Sequence, residues 1–267
     1  MLKEIFVDGR EIVYSEDGRG PPFLIIHGWG PEPVQHFSSF QKLLAGRGYK
    51  VISPHLPGFE NREPTPAGWG MEEYLNCVLG FINALKLDSF FLIGHSMGGA
   101  MAIRMAVACP DKIKALILLS PGIFPSARLH FWKWWIFLIG FRIFLIMIRI
   151  INLVHLWGAL HRFLFQKGKS MPDLLKRFVA IENTPLYLPK ILTRTLILWG
   201  RRDFNYYLFG RNVVKRIPNH RIHIIRGAGH NIQEDAPQKA LDLVMDFIRL
   251  EGVPRTPFSS FDKNLTK

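Results

Sequence analysis

The sequence predicts an α/β protein: a mostly parallel sheet flanked by helices, with a helical segment inserted into it. Two observations predict it. Short, uninterrupted apolar runs alternate with stretches of helical spacing, the pattern of strands covered on both faces. That alternation then breaks once, between Pro121 and about Pro189, where strand-like punctuation disappears and the chain reads as several helices.

The elements follow in order. Lys3 to Val7, the pair Asp8-Gly9 and Arg10 to Tyr14 read as a β-hairpin, because Asp-Gly tolerates the positive φ that a type I′ turn needs. Phe23 to Ile26 is a strand running into His27-Gly28-Trp29-Gly30. Phe37 to Ala45 has helical spacing up to Gly46, and Lys50 to Ser53 is a strand ended by Pro54. Met71 to Leu85 is a longer amphipathic helix, with Tyr74, Leu75, Val78, Phe81, Ile82 and Leu85 on one side.

Phe90 to Ile93 is a strand that ends at Gly94-His95-Ser96-Met97-Gly98-Gly99, and a helix is expected from Ala100 to Ala108, closed by Pro110. Ala115 to Leu119, Leu196 to Trp199 and Arg221 to Ile225 complete the strands, and a last helix spans about Ala236 to Leu250. The predicted organisation is a core of residues 1–120 and 190–253, a helical cap over 121–189, and a flexible tail over 254–267.

Composition narrows the function. With 267 residues and 48% hydrophobic content the chain can bury a full core. No apolar stretch follows the basic start, and Cys77 and Cys109 have no metal-ligand spacing, so free thiols and a cytoplasmic location are expected. The net charge of +13 is uneven. From Pro121 to Ser170 there is no acidic residue, while Arg128, Lys133, Arg142, Arg149, Arg162, Lys167 and Lys169 supply seven positive charges.

Those charges lie among Trp, Phe, Ile and Leu, which favours an anionic lipid surface over nucleic acid. Phe131 to Phe165 holds four of the seven tryptophans, Trp132, Trp134, Trp135 and Trp157. Arg142 and Arg149 share a helical face within it, which argues against a membrane span. A cap packed on the core and a lid that dips into lipid are both compatible with the pattern. Either roofs a site with apolar side chains and predicts a small lipophilic substrate.

The chemistry is carried by Gly94-His95-Ser96-Met97-Gly98, a G-x-S-x-G placed after an apolar strand and before a helix. A serine there sits on a sharp turn, where side chains two residues to either side would collide with backbone. A hydroxyl needs a positioned base. His230, in Gly227-Ala228-Gly229-His230, and Asp203, in Trp199-Gly200-Arg201-Arg202-Asp203, both follow strands, so all three can meet at the carboxyl edge of the sheet. Their chain order is Ser, Asp, His. Asp235 follows His230 too closely to orient it, and His95 reads as a structural neighbour of the serine.

With these motifs the sequence resembles the α/β-hydrolase superfamily, and within it the cap-bearing serine esterases and C–C hydrolase-like members. The resemblance runs from the first hairpin to the last helix, and the cap matches in position alone. It implies Ser96 as nucleophile, His230 as base and Asp203 as orienting acid, with the backbone N–H groups of Trp29 and Met97 as oxyanion hole. Some members carry the acid after the strand preceding the cap, but Ser120 occupies that place here. His55-Leu56-Pro57-Gly58-Phe59-Glu60 resembles the family's D-x-P-G-x-G loop, with His55 and Glu60 as departures. Serine at position 96 argues against haloalkane dehalogenases and epoxide hydrolases, which carry aspartate there.

The expected reaction is hydrolysis of a lipophilic carboxylic ester through an acyl-serine, with no metal or organic cofactor. C–C bond hydrolysis and acyl transfer share the triad and stay open. So does a non-catalytic, membrane-associated binding protein on the same fold. A peripheral contact of the cap with anionic membrane accompanies the leading reading.

Overall fold

A computed structural model describes residues 1–30, 33–59, 69–123, 184–206 and 210–249. They build an eight-stranded sheet in the order β1-β2-β4-β3-β5-β6-β7-β8. The strands are β1 (Leu2–Val7), β2 (Arg10–Asp17), β3 (Pro22–Ile26), β4 (Lys50–Pro54), β5 (Phe90–His95), β6 (Ile113–Leu119), β7 (Thr195–Gly200) and β8 (His220–Ile225). β1, β2 and β4 pair antiparallel, and from β4 through β3, β5, β6 and β7 to β8 every pairing is parallel.

The hairpin forms at Asp8-Gly9, with φ of 49° and 74°. β2 extends three residues past the expected Tyr14, because Ser15, Glu16 and Asp17 find partners in Ser53, Ile52 and Val51 of β4. That extension comes from an inter-strand pairing, which no local pattern announces.

The apolar runs have a simple cause. Side chains alternate across a strand, and both faces of the central strands β3, β5, β6 and β7 are covered. Leu24, Ile26, Phe90, Leu92, Leu116, Leu118, Ile197 and Trp199 pack into one core with α2 (Met71–Ala84) and α3 (Met97–Ala108). Phe23, Ile25, Phe91, Ile93, Ala115, Ile117, Leu196 and Leu198 pack into the other with α1 (Ser38–Ala45) and the last helix, Pro237–Arg249.

Of the cap expected over 121–189, residues 124–183 lie outside the described residues, as do Glu60 and the expected tail over 254–267. The chain returns to the sheet through two 3-10 turns, Thr184–Leu186 and Leu188–Lys190. Leu188 and Ile191 are fully buried there. Tyr187 stacks on the guanidinium of Arg104, a buried side chain of α3 that also pairs with Glu72.

Candidate active site

β5 passes directly into Ser96, whose φ of 51° and ψ of −118° lie outside the regions that serine ordinarily occupies. Such a conformation costs on the order of 1–3 kcal/mol and persists only where the surroundings over-determine it. Here they do. The Ser96 carbonyl accepts the N–H groups of Gly99 at 3.0 Å, Ala100 at 3.3 Å and Gly122 at 2.7 Å, while its own N–H donates to Leu119 at 3.2 Å. A β-carbon on Gly94 would lie 2.5 Å from the Gly98 carbonyl oxygen, and one on Gly98 would overlap the carbonyl oxygens of Ile26 and His27. Both glycines of the motif are thus required by sterics. α3 starts at Met97, three residues ahead of the expected Ala100, because the turn itself serves as the helix cap.

His230 stands on the loop after β8, with its side chain 36% exposed. Its Nε2 is 3.0 Å from the half-buried Ser96 Oγ, and its Nδ1 is 2.8 Å from Asp203 Oδ2. A carboxylate only accepts, so the Nδ1 carries hydrogen and the Nε2 is open to the serine proton. Asp203, 4% exposed, lies just past β7. Its Oδ2 also accepts the Trp199 indole N–H at 2.8 Å, and its Oδ1 accepts the Asn205 N–H at 3.0 Å. Burial pushes this carboxyl up, but the bond and charge of His230, with the Asn205 and Trp199 donors, outweigh it and hold the group below its ordinary value.

The structure therefore brings Ser96, His230 and Asp203 into one connected chain of hydrogen bonds. Asp235 has a different place: its Oδ2 accepts the Gly229 N–H at 2.6 Å and so ties the loop that carries His230.

The other edge of the site is the loop after β3. His27 is fully buried and accepts the Leu56 N–H on Nε2 at 3.1 Å, so its Nδ1–H donates to the Gly28 carbonyl at 2.7 Å. This laces the loops after β3 and β4 together. Gly28 lies hard against the serine turn, since a β-carbon on it would be 2.8 Å from His95 Nδ1 and 2.9 Å from Ser96 Cβ. Trp29 follows, half-buried against the core. Met97 opens α3, and the first N–H groups of a helix have no acceptor within it.

Two residues go beyond the sequence reading. Trp199 was visible only as part of a strand, and its indole bond to Asp203 follows from a four-residue spacing across the strand end. His95 is more than a neighbour of Ser96. Its Nε2 lies 3.1 Å from the carbonyl oxygen of His230, a contact between residues 135 positions apart that no local motif encodes.

The family model described as "Alpha/beta hydrolase family" matches residues 23–243. The chain belongs to that family. As an alpha/beta hydrolase it is 25% identical over 264 residues to a 2-hydroxy-6-oxo-6-phenylhexa-2,4-dienoate hydrolase of Comamonas testosteroni, covering 89% of this chain and 91% of the relative. The Burkholderia cepacia protein of the same name is 25% identical over 277 residues, with 92% and 94% covered. Among solved structures, a meta-cleavage product hydrolase from Pseudomonas fluorescens superposes with a TM-score of 0.68 at 20% identity, over 92% of this chain and 97% of that one. The hydrolase carries no helix among its described residues that is long and apolar enough to cross a membrane.

Proposed function

We propose that the protein hydrolyses a lipophilic carboxylic ester through an acyl-Ser96 intermediate. The observation that carries this reading is the unbroken chain from Ser96 Oγ through the His230 ring to Asp203, at 3.0 Å and 2.8 Å. As Ser96 Oγ attacks the ester carbonyl, His230 Nε2 takes its proton. The imidazolium formed is held by the Asp203 carboxylate, which stays ionised because its pKa is held low. The oxyanion is received by the N–H groups of Trp29 and Met97, each worth about 3–4 kcal/mol of barrier when fixed in advance. His230 then gives its proton to the leaving alcohol and activates the water that releases the acid.

The relatives favour a second reading. Both are named as hydrolases of 2-hydroxy-6-oxo-dienoates, and the same three residues serve the water-dependent cleavage of a C–C bond beside a ketone. We also propose a peripheral contact with anionic membrane, supported by the basic, tryptophan-rich composition of the segment from Pro121 to Ser170.

The test has two stages. Purified protein is treated with a fluorophosphonate probe, and labelling is expected in the native chain and absent in Ser96→Ala. Initial rates are then compared on p-nitrophenyl esters of short to long acyl chain and on a 2-hydroxy-6-oxo-dienoate. A preference for the longer esters supports the first reading. Turnover of the dienoate alone replaces it with the second, and an unlabelled native protein removes both. In Ser96→Ala, kcat should fall by about 10⁶-fold.

A further inference from the structure

His95 ends β5 immediately before the nucleophile turn, and successive side chains of a strand leave on opposite faces. Its ring does not reach Ser96 Oγ from there. It turns instead into a buried slot, 6% exposed, with the Phe37 ring edge-to-face at 5.9 Å and the His230 ring at 4.9 Å. The Nε2 lies 3.1 Å from the main-chain oxygen of His230. A carbonyl oxygen can only accept, so this nitrogen carries hydrogen and donates.

We infer that His95 is a positioning residue, whose Nε2–H bond to the His230 carbonyl fixes the loop that holds the His230 ring between Asp203 and Ser96. The inference rests on the triad reading proposed above. His230 needs such a tie. It follows Gly227-Ala228-Gly229, whose glycines leave the backbone a wide choice of torsions; the Arg202 N–H holds the Ala228 carbonyl at 2.9 Å, but the His230 side chain itself is one-third exposed. Asp235 anchors the residue before it through the Gly229 N–H at 2.6 Å. His95 anchors the residue itself, and the two bonds flank the peptide unit on which the imidazole is mounted. A base that must reach a hydroxyl at 3.0 Å tolerates little drift, and a misplacement of about 1 Å can cost roughly 100-fold in rate.

The choice of imidazole fits the role. Burial, then the neighbouring His230, push the His95 pKa down to about 3, so the ring stays neutral while His230 becomes charged during turnover. A lysine or arginine donor at this place would set a fixed positive charge against the imidazolium.

The test compares His95→Gln, His95→Asn and His95→Leu with the native chain. The glutamine amide nitrogen is the same number of bonds from Cβ as His Nε2, whereas the asparagine amide stops one bond short. For each protein the fluorophosphonate labelling rate is measured against probe concentration, with a thermal midpoint alongside. The expected result is that His95→Gln keeps its maximal labelling rate within about threefold. His95→Asn and His95→Leu should lose about tenfold to 100-fold. The half-saturating probe concentration should stay within about twofold in all of them, because none of the substitutions alters Ser96, Trp29 or Met97.

A residue that only fills space would lower the thermal midpoint without this split between rate and saturation, and glutamine would not rescue it. Should His95→Leu fail to fold, the Gln and Asn pair decides. Equal loss in Gln and Asn, or no loss in Asn, overturns the inference while a labelled native protein leaves the triad reading standing. A native protein that takes no label overturns both.

Discussion

At Asp203 two carboxylate oxygens receive three donors, from His230, Trp199 and Asn205, in a site almost closed to solvent. At His95 a single imidazole is buried beside the His230 ring. Both groups make stability depend on acid, over ranges that meet only below 3.8. The His95 ring takes up a proton near its ordinary 6.5 once unfolded, but only near 3 when folded. Between those values the unfolded chain binds the extra proton, so stability falls as pH drops, by about 1.4 kcal/mol per pH unit for one such group. Asp203 is depressed from its ordinary 3.8, so its contribution is present above that value and lost as pH falls through the lower, folded one. Urea unfolding of native protein and of His95→Gln, at intervals from pH 7 to pH 4, should therefore show a shallower slope in the variant. Parallel slopes would mean that the ring does not stay neutral. At this scale the sequence shows the three residues of the hydrogen-bonded chain but not what holds them. Ser96, Asp203 and His230 are legible because each follows a strand, and in a parallel sheet strand ends converge. The partners that hold them, Trp199 and His95, are legible as residue types but not as contacts, since their bonds cross loops whose path no local pattern sets.

Among the elements, the turn between β5 and α3 concentrates the strain and also the constraints. Its geometry makes a substitution test direct. In Gly98→Ala the new methyl group would overlap the carbonyl oxygens of Ile26 and His27, so the β3 end and the turn must separate. A loss of about 1–3 kcal/mol in urea unfolding is expected, with a matching fall in fluorophosphonate labelling. Gly46→Ala provides the control: Gly46 has a helical φ of −64°, and its added carbon would meet the Lys42 oxygen at an ordinary 3.4 Å. That variant should hold its stability to within about 0.5 kcal/mol or gain slightly. If both alanines behave alike, the close approach at Gly98 is not what the turn depends on. The central strands were readable as elements because strands covered on both faces carry apolar side chains at nearly every position. The start of α3 and the far end of β2 were not, because one is set by the serine turn and the other by pairing with β4.

For the molecule as a whole, charge is the feature that the hydrolytic chemistry does not use. The excess of +13 exceeds what a small neutral substrate calls for. Flotation with vesicles of phosphatidylglycerol and phosphatidylcholine, at low and at physiological salt, should recover the protein with the anionic vesicles and release it as salt screens the attraction. Recovery with pure phosphatidylcholine would point to apolar insertion alone, and none with either would remove the membrane reading. The succession of strands and helices in the core was readable from the alternation of apolar runs with helical spacing. The substrate was not, because it depends on side chains brought together from distant parts of the chain.

The hydrogen bond from the Gly122 N–H to the Ser96 carbonyl, at 2.7 Å, has a practical consequence for protein engineering. Pro121 packs against Gly99, close enough that a β-carbon there would come within 2.8 Å of its side chain. The first residues after β6 therefore brace the nucleophile turn, even though the sequence assigns them to the insertion. Anyone replacing the segment that follows β6 should splice after Ile123. A graft joined at Ser120 would remove the brace.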